Sequence, residues 1–146
     1  MKRILIGMLL GLALMAFAGC GTQGAKEQAA SSASAFATIE DDLGREVVLE
    51  KKPERIVVTS ASFLEPLHKV GGDVVGRPDS KTQMPDYAKD KASVGKVYQI
   101  DTEKVLACEP DLVIINKGMN EKLVDTLEAS GIKTLVVDSK SYENVK

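Results

Sequence analysis

Three short runs of aliphatic residues constrain this chain more than any other feature: Arg55 to Thr59 (RIVVT), Leu112 to Ile115 (LVII) and Thr134 to Val137 (TLVV). Each is apolar at consecutive rather than alternate positions. A strand of that kind needs cover on both faces, which is the pattern of a buried parallel sheet. A fourth short strand is predicted at Asp73 to Gly76, followed by a polar loop, RPDSKTQMPDYAKDKAS.

The segments between these runs carry helical signals. After the first strand, Thr59-Ser60-Ala61-Ser62 puts hydroxyls at a helix N-terminus, and Phe63, Leu67 and Val70 fall on one predicted face. Gly71-Gly72 stops that helix. Asp101 is the predicted N-cap of a second helix, with Glu103 in its first turn, and Pro110 ends it. A third spans Glu121 to Ser130, with Leu123, Val124 and Leu127 inward, and Gly131 stops it. Ser139 or Ser141 is placed to begin a further helix. Upstream, Ala37 to Leu49 reads as a hairpin around Asp42-Leu43-Gly44, with glycine where a positive φ is needed.

Alternating strands and helices imply an α/β fold with a mostly parallel sheet and right-handed crossovers. Ligands of such sheets sit beyond the carboxyl ends of the strands. Here those ends carry Thr59–Ser62, Gly76–Ser80, Val94–Gln99 and Asn116–Met119.

The first residues follow a different logic. Lys2 and Arg3 precede an unbroken apolar or glycine run from Ile4 to Phe17. That run is shorter than the roughly 20 residues a membrane-spanning helix needs, and it suits the hydrophobic region of an export signal. Phe17-Ala18-Gly19-Cys20 resembles the lipobox of bacterial lipoproteins, so residues 1–19 are read as signal peptide and Cys20 as the lipidated N-terminus. Residues 20–36, rich in Gly, Ala, Ser and Gln, bury too little apolar surface to order and form a tether. Residues 37–146 are the folded domain. This places the protein outside the cytoplasm, anchored to a membrane by lipid.

Several function classes drop out. The net charge is −2 and aromatics are 4% of residues, which argues against nucleic acid as partner. One histidine, His68, cannot build a triad or an imidazole zinc site, and it reads as a structural side chain beside the first helix. No Gly-x-Ser-x-Gly elbow, P-loop or Gly-x-Gly-x-x-Gly occurs. With Cys20 acylated, Cys108 stands alone, on the inner face of its helix as a small core hydrophobe. A binder is therefore expected rather than an enzyme, with no intrinsic cofactor.

Four stretches together carry a family likeness: DDLGREVVLEKKPERIVVTSASFLEPL, VGRPDS, VGKVYQIDTEKVLACEPDLVIIN and ASGIKTLVVD. The combination resembles the class III substrate-binding proteins of ABC importers, which take up siderophores, haem and cobalamin. The resemblance covers Thr38–Lys146. It implies one Rossmann-like lobe, the N-terminal half of a two-lobed protein, with Ser141–Lys146 opening the helix that links to a C-terminal lobe absent from this chain.

The resemblance also implies roles. Glu103 matches a glutamate that pairs with arginines of the membrane permease, whereas its local chemistry is that of an acid favourable to the helix dipole. Tyr98 matches a loop position that offers an axial ligand to haem iron in some members; an aromatic wall against a flat ligand is the other reading. Ser60, Ser62, Arg77 and Lys117 lie at strand ends and suit carboxylates or propionates, Arg77 by bidentate contact. The expected ligand is an iron complex: haem ahead of a ferric siderophore, with cobalamin as an alternative. Expected partners are the ABC permease and its ATPase. A remnant lobe without transport activity and a small exported α/β enzyme are the rival readings.

Overall fold

The computed structural model describes residues 35–81 and 84–140. The expected signal peptide (residues 1–19), the expected lipidation site Cys20, all but residues 35–36 of the expected tether, and the expected start of a linking helix at Ser141 lie outside the described residues. Strands β1 (Ala37–Glu40) and β2 (Glu46–Leu49) form the antiparallel hairpin expected from the sequence, with Gly44 at φ 74° in its turn.

The main sheet has six strands: β3 (Ile56–Val58), β4 (Gly76–Asp79), β5 (Ala92–Lys96), β6 (Gln99–Ile100), β7 (Leu112–Asn116) and β8 (Lys133–Val137). Their order is β6-β5-β4-β3-β7-β8, parallel throughout except for the antiparallel β5–β6 pair. The chain winds outward from β3 through β4 to β5, then returns to β7 on the other side of β3. The switch point between β3 and β7 is where a sheet of this kind opens a crevice.

Three helices connect the strands: α1 (Leu64–Lys69), entered through a 3-10 turn at Ala61–Phe63, α2 (Thr102–Ala107) and α3 (Leu123–Ala129). Asp101 caps α2 as expected, its Oδ1 accepting from the N–H groups of Glu103 (3.0 Å) and Lys104 (3.3 Å).

The period-two geometry of strands divides the consecutive aliphatic residues between two cores. Val57, Val113, Ile115 and Val136 face α2 and α3 and pack with Val105, Cys108, Leu123 and Leu127. Ile56, Val58 and Leu112 face the other way, against the hairpin residues Val47 and Leu49 and against Phe63 and Leu64. Cys108 is buried as expected, and burial pushes its thiol pKa up.

Three local expectations are corrected. The strand predicted at Asp73–Gly76 lies at Gly76–Asp79 instead. Its β5 pairing shifts register between Arg77 and Asp79, so Pro78, which has no N–H to donate, sits where the ladder is interrupted. The polar loop after it contains a 3-10 turn at Asp86–Ala88 and then β5, which the charged sequence had concealed. Val70, expected to face inward, is 79% exposed because α1 ends at Lys69 and Val70 is its C-cap.

Gly76 lies where space is tight. A Cβ there would stand 3.0 Å from Cys108 Sγ and from Val57 Cγ2 and 3.1 Å from Val94 Cγ1. The sheet and α2 approach each other closely at this point.

Candidate functional site

The carboxyl edge of the main sheet gathers most of the sequence-predicted site residues. At the end of β3, Ser60 is buried and Ser62 exposed, and their hydroxyls bond each other at 2.8 Å. They were expected to cap the helix; no side-chain cap is made there. The neighbouring Thr59 hydroxyl accepts the backbone N–H of Asn116 at 2.9 Å, tying the ends of β3 and β7 together across the switch point.

Tyr98 is not in an open loop. Strands β5 and β6 pair through Gly95↔Ile100 and Lys96↔Gln99, so Val97 and Tyr98 form a two-residue hairpin turn. Gly95 makes this possible: its φ is 101°, and a Cβ there would meet Gln99 O at 2.6 Å. Tyr98 stands 68% exposed on this turn, with the Lys96 ammonium 5.9 Å from its ring centroid. No described residue bonds its hydroxyl.

A bond that sequence reasoning missed holds the turn in place. The Asn120 side-chain Nδ2 donates to Val97 O at 3.1 Å. Asn120 follows β7, and β5 is separated from β7 by β4 and β3. The bond therefore joins loops from opposite sides of the switch point. Met119, beside Asn120, is 54% exposed, so two exposed apolar side chains, Tyr98 and Met119, flank a buried amide. The asparagine pair is unusual in its chemistry: Asn116 Oδ1 and Asn120 Oδ1 are buried, and neither has a hydrogen-bond partner among the described residues.

The two cations of the predicted set are committed to the protein itself. Arg77 donates from Nε to Ala88 O (3.2 Å), from Nη2 to Lys89 O (3.1 Å) and from Nη1 to Asp79 Oδ1 (2.9 Å). Its fork braces the 3-10 turn against β4. Lys117 Nζ donates to Asp42 O at 2.5 Å and so holds the β1–β2 turn beside β7.

Glu103 is exposed in the first turn of α2, and no described residue forms an ion pair with it. His68 is exposed and stacks on Tyr87, ring centroids 4.1 Å apart and planes 11° apart; Tyr87 in turn donates to Leu64 O at 2.6 Å. Among the described residues no group of three or more His, Cys, Asp or Glu side chains is arranged to hold a metal ion, and no helix is long and apolar enough to cross a membrane.

What these residues offer is an exposed aromatic and an exposed thioether side chain, a pair of bonded hydroxyls after β3, and an exposed acid in the first turn of α2. Such a set suits recognition rather than turnover. Known proteins agree. The ABC transporter substrate-binding lipoprotein YvrC of Bacillus subtilis is 30% identical over 152 residues, covering 99% of this chain and 48% of that protein. The petrobactin-binding protein YclQ of the same organism is 27% identical over 150 residues, covering 97% and 47%. The chain thus spans about half the length of these curated relatives. Among solved structures, Staphylococcus aureus SirA complexed with staphyloferrin B superposes with a TM-score of 0.61 at 27% identity, over 70% of this chain and 36% of that one. A family model described as periplasmic binding protein matches residues 56–146. That match covers the main sheet and its three helices, and with it the chain belongs to the periplasmic binding protein family.

Proposed function

We propose that this chain is the N-terminal lobe of an extracytoplasmic substrate-binding lipoprotein that carries a ferric-iron complex to an ABC permease and its ATPase. Residues 1–19 are the signal peptide, Cys20 is the lipid anchor, residues 20–36 are the tether and residues 37–146 are the lobe. The observation that carries the reading is the exposed pair Tyr98 and Met119, held on either side of the Asn120–Val97 bond at the carboxyl edge of the sheet.

A bulky iron chelate presents flat apolar faces and oxygen donors. Tyr98 meets the first with its ring and offers a phenol, which as phenolate is a hard ligand for ferric iron. Ser60 and Ser62 supply hydroxyls to oxygen-rich groups beside it. The names of the relatives, one for petrobactin and one solved with staphyloferrin B, support a siderophore; the free phenol at the tip of the hairpin supports haem. Glu103, with its backbone N–H satisfied by Asp101 and its carboxylate facing solvent, is the contact for permease arginines.

Titration of the protein, expressed from its own gene, with haemin and with ferric siderophores tests the reading. Saturable quenching of tyrosine fluorescence by one of them is expected, and Tyr98→Ala weakens it. A Soret band that shifts on binding and is lost in Tyr98→Phe assigns haem ligated by the phenolate. Unchanged binding by Tyr98→Phe leaves the ring as a wall, and no saturable binding of any ferric complex overturns the proposal.

A further inference from the structure

We infer that Asn120 is a positioning residue for the ligand surface: it fixes the Tyr98 turn across the mouth of the sheet and so sets ligand affinity without touching ligand. This inference rests on the ferric-complex reading above and adds to it the residue that preorganises the site.

Three observations converge on it. First, the Asn120 Nδ2 to Val97 O bond, 3.1 Å, joins loops whose strands are separated by two others, so it restrains the turn from across the sheet, beyond the β4–β5 and β5–β6 pairing. That ladder is short: β6 has two residues, and Gly95 within β5 adopts a positive φ. A hairpin this small has little stiffness of its own. Second, Asn120 is 2% exposed, so it is out of reach of a ligand on the surface, while Tyr98 and Met119 beside it are exposed. Third, Asn120 Oδ1 and Asn116 Oδ1 are buried without partners among the described residues. An apolar side chain at position 120 would leave no such acceptor. The amide is therefore better accounted for by the bond its nitrogen donates than by its contribution to folding, in line with the tendency of local rules to fail at functional sites. A surface held in its binding geometry before the ligand arrives loses less conformational freedom on binding.

The test combines Asn120→Leu, Asn120→Asp and Tyr98→Ala, with haemin and a ferric siderophore as probes, using the protein expressed from its own gene. Asn120→Leu keeps the bulk and removes the donor; Asn120→Asp keeps the shape and removes it. Expected are a cooperative unfolding transition retained in at least one variant, amide exchange at Val97, Tyr98 and Gln99 faster by at least about tenfold, and affinity weaker by about tenfold, as expected for loss of one hydrogen bond. The double variant Asn120→Leu/Tyr98→Ala should bind no more weakly than Tyr98→Ala alone, because the asparagine acts through the tyrosine. Multiplying losses, or wild-type affinity in both folded Asn120 variants, would overturn the inference while leaving the iron-complex reading intact. Wild-type affinity in Tyr98→Ala would instead remove the role of Tyr98 on which both depend.

Discussion

Asp111 and Arg55 bond each other in both directions at the start of β7 and β3. The Asp111 carboxylate accepts the backbone N–H of Arg55 at 3.0 Å, and the Asp111 N–H donates to Arg55 O at 3.0 Å. The guanidinium of Arg55 reaches on to the carbonyls of Cys108 (2.6 Å) and Glu109 (2.9 Å), which end α2. The segments PER and EPD, far apart in the chain, are thus one device: it closes a helix and sets β3 against β7 in the register Ile56↔Leu112. Asp111 also accepts the Glu54 N–H at 2.9 Å.

From this follows the first expected outcome. Asp111→Ala strips the acceptor from two backbone N–H groups near the surface and should cost about 1–3 kcal/mol of stability. Urea unfolding followed by circular dichroism would show it as a lower midpoint at unchanged slope. A midpoint equal to wild type would mean that water replaces the carboxylate at no loss.

The hairpin is fastened by a second network. The buried Asp41 carboxylate pairs with Arg45 at 2.6 Å, and Arg45 bridges onward to Glu128 at 2.8 Å. Burial pushes the Asp41 pKa up, but the Arg45 side chain and the N–H groups of Arg45, Leu43 and Val136 outweigh it, and the net shift is downward. A carboxyl depressed on folding contributes stability that is present above its unfolded value of about 3.9 and lost as pH falls through the lower folded value. Stability should therefore drop as pH goes from 5 to about 2. Asp41→Asn should cost about 2 kcal/mol at pH 7 and flatten that drop. A series of urea midpoints against pH measures both, and an equally steep decline in the variant would assign it to other carboxylates.

Gly76 makes a steric prediction. A methyl group at this position meets Cys108 Sγ, Val57 Cγ2 and Val94 Cγ1 at 3.0–3.1 Å, so Gly76→Ala requires these side chains to give way by a few tenths of an ångström. The cost should be about 1–3 kcal/mol. The variant Gly76→Ala/Cys108→Ala should recover part of it by relieving the Sγ contact, which thermal unfolding of the two proteins would register.

The docking role proposed for Glu103 can be tested apart from ligand binding. Glu103→Arg reverses an exposed charge at the start of α2 and should cost under about 1 kcal/mol through the helix dipole. It should leave ligand affinity unchanged and abolish iron-complex uptake by cells that depend on this protein. Loss of affinity, or uptake at the wild-type rate, would each remove the docking role.

Much of the lobe was legible locally. The runs at β3, β7 and β8 are aliphatic on both faces, and both faces are covered; Asp101 is a cap, Cys108 lies inward, and the hairpin turns at Gly44. Each depends on a few neighbouring residues whose side-chain pattern repeats with the period of the element. The misplacements have the opposite character. β4 lies on a proline-containing segment, where pairing with β5 through Gly76, Arg77 and Asp79 outweighs the local signal against a strand. The strand β5, ASVGK, carries little apolar signal and exists because β4 lies alongside it. Val70 had the spacing of a core residue, but the helix ended one residue short of it.

The site divides in the same way. Position at strand ends brought Ser60 and Ser62 to attention, whereas the roles expected of Tyr98 and Glu103 came from the family resemblance. Nothing in the linear order could disclose that Asn120 reaches Val97, that Met119 is exposed, or that Arg77 and Lys117 are engaged by backbone carbonyls. Those facts arise from contacts between residues up to 75 apart in the chain. They exist only once the strands have taken their order and their loops compete for the same few donors.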